Sequence, residues 1–543
     1  MAMLAVIALH RRFVKGFAQN KSWEPTLMET VDGLEGIENV LLIVTDQWRG
    51  DHLKSTGHPV LDLPNLDALA AEGVTFRRHY VQCAPCGPAR ASLHTGLYQM
   101  NHRVVRNSTP LSGELTNLAL EARKANYDPC LVGYATSTPD PRKTDPNDPR
   151  FFLLGDNMEG WREITSFAPM HRPYHGYLRQ NGMAVPTDGY ASYWEPEDGP
   201  LGPTQQPAKT PAEVSDTAWL ANCGLDTLHS RLGQKWFLHL GFYRPHPPFI
   251  ANAPYHARYR PEDMPKPRRQ QDLRVEAAQH PLLAYHLGSI KNENFFKGAD
   301  GKAADLDEAE IAVMRAAYCG MIQEIDDQLG RVFAFLKETG QWDKTLIVFT
   351  SDHGEQLGDH YMLGKVGYFD ESFHIPLIIR DPRPEADAGR GRLVDAFTEQ
   401  VDLMPTILDW AGRTPPRQCD GRSLLPFCQG ETPADWRAHV HYEYDFRDCI
   451  TEAPQQAFGL HMDDCSLAVI QDERFKYVHF AALPPLLFDL EKDPNQFRNV
   501  ADDPAYAQKA LEYAQAMLSW RLNHADKRLT GFSASPDGLI ERR

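Results

Sequence analysis

Four short stretches of the 543-residue chain carry side chains that could act as nucleophile, metal ligand or anion contact. They are Thr45-Asp46-Gln47, the run Cys83-Ala84-Pro85-Cys86-Gly87-Pro88-Ala89-Arg90, Tyr243-Arg244-Pro245-His246, and Ser351-Asp352-His353 with Lys365 thirteen residues after Asp352. In the cysteine run Gly87 supplies a permissive turn, and Pro88 suits the first position of a helix, where its missing N–H costs nothing. That places Cys86 near a helix N-terminus, whose unpaired N–H groups and dipole favour anions. Arg90 adds fixed positive charge. The loop reads as a device for holding a reactive group against an anionic substrate. The same residues admit a second reading, a Cys83/Cys86 redox dithiol. Half a zinc site is a third, although no second C-x-x-C occurs in the chain.

The elements around these residues follow from apolar runs. Residues 40–44 and 346–350 are continuous apolar stretches, as expected of strands buried on both faces of a parallel sheet. Each leads straight into an acidic residue, and in open α/β sheets ligands bind at the C-terminal ends of the strands. Residues 236–240 form another such strand, running into His246 among prolines that keep it out of a helix. Residues 130–136 form a shorter one that ends in Tyr134 and Thr136. Helices are expected at 64–73, 212–232, 397–410 and, most strongly, 306–339. There Ile311, Met314, Tyr318, Met321, Ile322, Ile325, Leu329, Val332 and Leu336 make one apolar face and Gly340 a stop. Residues 138–210, rich in Pro, Asp and Gly, read as long surface excursions, and Asn107 as turn chemistry or a substrate contact. Beyond residue 430 the pattern changes to two strands, 466–470 and 475–480, and a last helix at 504–521.

The fold class is therefore α/β, a large mixed and mostly parallel sheet flanked by helices. A smaller C-terminal α+β part contains an antiparallel sheet. The boundaries are an N-terminal extension at 1–38, a large α/β domain at 39–430 that holds all four stretches, and a C-terminal subdomain at 431–543. Hydrophobic and charged fractions of 42% and 24% are those of a soluble globular protein. A net charge of −17 argues against nucleic acid and against an anionic membrane as partners. Nine scattered cysteines make a poor disulfide framework and point to a reducing, cytoplasmic location. The apolar run at the N-terminus precedes Arg11, Arg12 and Lys15, the wrong order for a secretory signal.

Cys86-Gly87-Pro88-Ala89-Arg90 with Leu93-His94-Thr95-Gly96 resembles the C-x-P-x-R…L-x-T-G element of the sulfatase family within the alkaline phosphatase superfamily. The resemblance is strongest to its bacterial phosphonate monoester hydrolase and phosphodiesterase branch, from about Asn39 onwards. It implies an alkaline-phosphatase-like fold. It also implies that a separate maturation enzyme oxidises Cys86 to Cα-formylglycine, whose hydrated aldehyde is the nucleophile. The register excludes Cys83, which would need Arg at position 87. Asp46, Asp352 and His353, with the group derived from Cys86, are the implied ligands of one divalent metal. Two carboxylates and an imidazole favour Mn²⁺, with Zn²⁺ or Ca²⁺ as alternatives.

Cys86, Arg90, His246 and Lys365 are the implied catalytic residues, and Gln47, Asn107, Tyr134 and Thr136 the implied substrate contacts. Typical sulfatases carry a second Asp where Gln47 stands, and Lys and His where Tyr134 and Thr136 stand. The neutral pair implies phosphonate monoesters and phosphate diesters as substrates, with promiscuous sulfate hydrolysis. An arylsulfatase is the alternative reading, and a non-hydrolytic thiol-redox or metal-binding protein a remote one. The resemblance further implies a homo-oligomer, dimer or tetramer, assembled through the C-terminal tail.

Overall fold

The computed structural model describes residues 38–153, 158–167, 172–185, 194–196 and 201–542, so nearly all of the expected N-terminal extension lies outside it. Strand β1 (Asn39–Asp46) is buried throughout, and its apolar run Val40–Val44 has both faces covered. Leu41 and Ile43 enter one core, and Val40, Leu42 and Val44 another. The chain continues through α1 (Pro64–Glu72), β2 (Val74–Phe76), β3 (Cys83–Ala84) and α2 (Cys86–Thr95). Next come β4 (Pro129–Gly133), β5 (Arg162–Ser166), α3 (Asp216–Ser230) and β6 (Phe237–Pro245). Then follow α4 (Glu308–Glu338), β7 (Thr345–Ser351), β8 (Leu377–Arg380), β9 (Arg392–Val394) and α5 (Leu403–Trp410). The C-terminal part holds β10 (Val440–Asp445), β11 (Ser466–Gln471), β12 (Phe475–Phe480), β13 (Leu486–Asp489) and α6 (Ala507–Asn523).

The large sheet has the order β9-β2-β8-β7-β1-β6-β4-β5. Only β8 runs against its neighbours; the other pairings are parallel. Helix α4 covers one face. All nine residues of its apolar stripe are buried, Asp307 and Glu310 cap its start reciprocally, and the chain leaves it at Gly340 with φ of 67°. Among the described residues no helix is long and apolar enough to cross a membrane.

Three local expectations need correction. Helix α2 begins at Cys86, with Pro85 as its cap, so Pro88 is the third residue. The first four N–H groups of a helix lack partners within it, so a proline fits there as well. The segment 397–410 is not one helix. Thr398 and Glu399 pair with His79 and Tyr80, and the α-helix starts only at Leu403, with Pro405 in its first turn. The excursion 138–210 contains β5, an edge strand of the large sheet. Its residues are exposed or half-buried, so no apolar alternation announced it.

The C-terminal sheet has the order β13-β12-β11-β10-β3. Its fifth strand is Cys83–Ala84, paired in parallel with Glu443 and Tyr444. The C-terminal segment is thereby hydrogen-bonded to the loop that carries Cys86.

Candidate active site

Asp46 is the last residue of β1, Asp352 follows β7, and His246 and Tyr134 follow β6 and β4. These four strands are neighbours and parallel, so their C-terminal ends form one edge. The metal-ligating atoms of Asp46, Cys86, Asp352 and His353 all lie within 4.8 Å of one another, and all four residues are buried. Cys86 Sγ is 3.2 Å from His353 Nε2 and 3.8 Å from Asp46 Oδ1. His353 Nδ1 donates to the Gly354 carbonyl at 3.0 Å, which leaves the Nε2 lone pair facing the carboxylates. The close approach of another backbone segment requires glycine there, because a Cβ on Gly354 would lie 2.1 Å from the Glu371 carbonyl oxygen.

Arg90 ties this group together from beneath. Its Nε donates to Asp352 Oδ2 at 3.0 Å and its Nη1 to the Tyr134 carbonyl at 2.8 Å, with Nη2 3.6 Å from Asp46 Oδ2. The guanidinium carbon sits 4.1 Å from the Tyr134 ring centroid, and the Tyr134 hydroxyl donates to Asp46 Oδ2. Two carboxylates, an imidazole lone pair and the Cys86 side chain form a donor set that fits a divalent cation. The electrostatics agree. Burial and the Asp46 charge push Asp352 above the usual carboxylate range. Asp46 is held low, against its burial, by His246, Lys365, His353 and Arg90. Carboxylates this close ionise together only when positive charge lies between them.

A cleft of about 380 Å³ opens beside this group, lined by Gln47, His246, Lys365 and, from the C-terminal segment, Tyr444, Phe446 and Arg447. Lys365 Nζ donates to Gln47 Oε1, and Gln47 Nε2 donates to Glu355 Oε2. Gln47 holds a left-handed backbone, φ 73°, which is uncommon for a residue with a side chain. His246 Nδ1 donates to the Pro247 carbonyl at 2.7 Å, so its Nε2 is an acceptor. Burial and the Lys365 charge pull His246 down to about 3, keeping it neutral at neutral pH. Asn107 Oδ1 accepts from Gly87 N at 2.7 Å and so steadies the turn at Cys86. Thr136 has φ of 52° and a buried hydroxyl with no partner among the described residues.

The structure thus gathers Asp46, Gln47, Cys86, Arg90, Tyr134, His246, Asp352, His353 and Lys365, with Asn107 one bond behind Gly87. Sequence reasoning missed Glu355 and the cleft wall at Tyr444–Arg447. Glu355 stood two residues after His353 without a spacing signal, and the wall depends on the β3–β10 pairing. Cys83 gains a place: it is buried in β3, with Sγ 3.3 Å from Ser92 Oγ. A second group, His52, His58 and Cys319, also has clustered ligand atoms. His52 Nδ1 is bonded to Asp51 at 2.6 Å, His58 Nδ1 accepts from Leu61 N, and Arg49, Arg268 and Arg315 line the adjoining pocket. Three guanidiniums make that a poor cation site.

Residues 38–413, which carry this sheet edge, match the family described as Sulfatase. The chain belongs to the sulfatase family, with its alkaline-phosphatase-like fold. Residues 358–523 also match the C-terminal region of N-sulphoglucosamine sulphohydrolase. The chain is 55% identical to the multifunctional alkaline phosphatase superfamily protein PehA of Trinickia caryophylli, covering 93% of this chain and 99% of the relative. It is 28% identical to an arylsulfatase of Clostridium perfringens, over 88% and 93% of the two chains. The phosphonate monoester hydrolase of Agrobacterium radiobacter superposes with a TM-score of 0.90 at 44% identity, over 93% of this chain and 100% of that one. That of Silicibacter pomeroyi gives 0.86 at 41%, over 93% and 99%.

Proposed function

We propose that the protein hydrolyses phosphonate monoesters and phosphate diesters, and aryl sulfates less efficiently, with a formylglycine made from Cys86 as nucleophile. The observation that carries this reading is the cleft beside the Asp46–Cys86–Asp352–His353 cluster, where Lys365 stands against the Gln47 amide while the two arginines of the lining, Arg106 and Arg447, are ion-paired to Asp448 and Asp445. A tetrahedral ester with a single negative charge needs only modest neutralisation, and Lys365, backed by the Gln47 amide, supplies it together with Asn107. The resemblance to phosphonate monoester hydrolases supports the same substrate class.

Asp46, Asp352, His353 and residue 86 would hold one divalent cation, Mn²⁺ by the carboxylate-rich set, which when bound supplies Lewis-acid charge stabilisation. Arg90 orients Asp352 and neutralises the buried carboxylates. Lys365 holds the substrate's anionic oxygens, and His246 Nε2 accepts a hydrogen bond or proton as the ester is cleaved. Burial and the Asp46 carboxylate push an unmodified Cys86 thiol well above its ordinary range, and burial does the same for Cys83. A dithiol redox role needs an accessible thiolate, which neither provides. All nine cysteines are free, which supports a reducing compartment and a cytoplasmic enzyme. Exposed Leu518, Leu522, Leu529 and Leu539 near the C-terminus support the homo-oligomer reading. We retain 431–543 as a subdomain that completes the cleft.

Peptide mass mapping tests for a formyl group at residue 86, and kcat/KM on matched p-nitrophenyl phosphonate and sulfate esters tests the substrate. Formylglycine with a phosphonate preference is expected. A sulfate preference replaces the reading with an arylsulfatase, and a Cys83–Cys86 disulfide without bound metal removes it.

A further inference from the structure

Glu355 is fully buried, and among the described residues its carboxylate accepts hydrogen bonds from N–H donors alone. Oε1 accepts from Leu357 N at 3.1 Å and from Gly364 N at 2.5 Å, and Oε2 accepts from the Gln47 side-chain amide. Gly364 immediately precedes Lys365, and the other end of the Gln47 amide accepts from Lys365 Nζ. One carboxylate therefore grips the substrate-facing lysine twice, through its backbone neighbour and through a side-chain relay. Two of the residues it touches hold left-handed backbones uncommon for residues with side chains: φ is 73° at Gln47 and 50° at Leu357. Such conformations persist only where the surroundings over-determine them.

The relay has a polarity. A carboxylate only accepts and an ammonium only donates. An amide between them satisfies both in one orientation alone, with NH₂ toward Glu355 and Oε1 toward Lys365. Metal-ligand spacing does not explain Glu355, which is absent from the Asp46–Cys86–Asp352–His353 group. We propose that Glu355 is a positioning residue that fixes the orientation of the Gln47 amide and so aims the Lys365 ammonium at the anionic oxygens of the substrate. This rests on the hydrolase reading above, in which Lys365 is the anion contact. With Gln47 Oε1 holding one ammonium proton, two remain for the substrate.

Glu355→Gln isolates the polarity. Its Oε1 keeps both backbone bonds, while its new NH₂ opposes the Gln47 NH₂; a flip of Gln47 then turns NH₂ against the lysine. The experiment measures inorganic phosphate affinity by calorimetry and kcat and KM on the p-nitrophenyl phosphonate ester, in wild type, E355Q, K365A and the double variant. Expected is a roughly tenfold to hundredfold loss in phosphate affinity and in kcat/KM for E355Q, the size seen when outer partners of a site are removed. In the K365A background E355Q should add less than twofold, since residues acting through one group are not additive. Unchanged phosphate affinity in E355Q, or an equal loss with and without Lys365, overturns the proposal. Should E355Q not fold, Q47L keeps both Glu355 backbone bonds and must reproduce the loss, again only when Lys365 is present. A wild type that binds phosphate yet cleaves no ester overturns the hydrolase reading, while the affinity cycle still decides the role of Glu355.

Discussion

Replacing Tyr134 with Phe removes one oxygen and leaves the ring beneath Arg90 in place. That oxygen donates to Asp46 Oδ2, while Asp46 Oδ1 faces His353 Nε2 at 3.7 Å and Cys86 Sγ at 3.8 Å. The bond therefore holds the carboxylate with Oδ1 turned toward the other ligands. A buried hydrogen bond to a charged group is worth about 1.5–3 kcal/mol. Arg90 Nη2, already 3.6 Å from the same Oδ2, closes part of the gap and puts the loss nearer the lower figure. At about 1.4 kcal/mol per tenfold, Y134F should weaken divalent metal binding roughly tenfold, within the range for outer partners of metal ligands. The assay is titration of metal-depleted protein with Mn²⁺ against a competing chelator. A Kd within twofold of wild type refutes the claim that Tyr134 orients Asp46.

Arg90→Met strips the buried guanidinium from Asp46 and Asp352 and should cost about 3–5 kcal/mol in urea unfolding, as breaking a buried ion pair does; a loss under about 1 kcal/mol would sink that account. Stability should also fall steeply as pH drops from 7 to 5. Burial pulls His79, His94 and His102 down to about 3, so each is neutral in the fold but takes up a proton near 6.5 once unfolded. Their contribution is whole above 6.5 and drains as pH falls toward 3, about 2 kcal/mol each at pH 5. Glu324, pushed up to about 8 by burial, Asp352, up to about 7, and Asp326, up to about 6, work in the opposite sense, but His58, pulled down to about 3, and His280 and His286, to about 4, add to the histidine side and outweigh them. An equal or higher urea midpoint at pH 5 contradicts this.

The central elements were legible because one local signal sufficed for each. The buried strands β1 and β7 centre on unbroken apolar runs, residues 40–44 and 346–349, β6 on an apolar stretch interrupted by His239 and Gly241, and α4 repeats its apolar face over 31 residues between a capping box and a glycine. The weaker cases failed for stated reasons. β5 is an edge strand with exposed faces, and the chain before α5 was recruited by a strand partner more than 300 residues away. Tyr134 was legible as a site residue, but its engagement with Asp46 was not, since a side chain's rotamer depends on what packs around it.

By itself the sequence determined the residue types that do chemistry and the strand ends that present them, because an acidic residue after a buried strand is a local fact. Tertiary structure alone decided that β7, β1, β6 and β4 lie side by side, which brings Asp352, Asp46, His246 and Tyr134 to one edge and sets Cys86 and His353 against the two carboxylates. It also decided that the C-terminal segment walls the cleft, through the β3–β10 pairing. Glu355, silent in the sequence, became the anchor behind Gln47 and Lys365. Local composition fixes which groups are available. Their partners are set by long-range hydrogen bonds and packing, for which no window of sequence carries the distance.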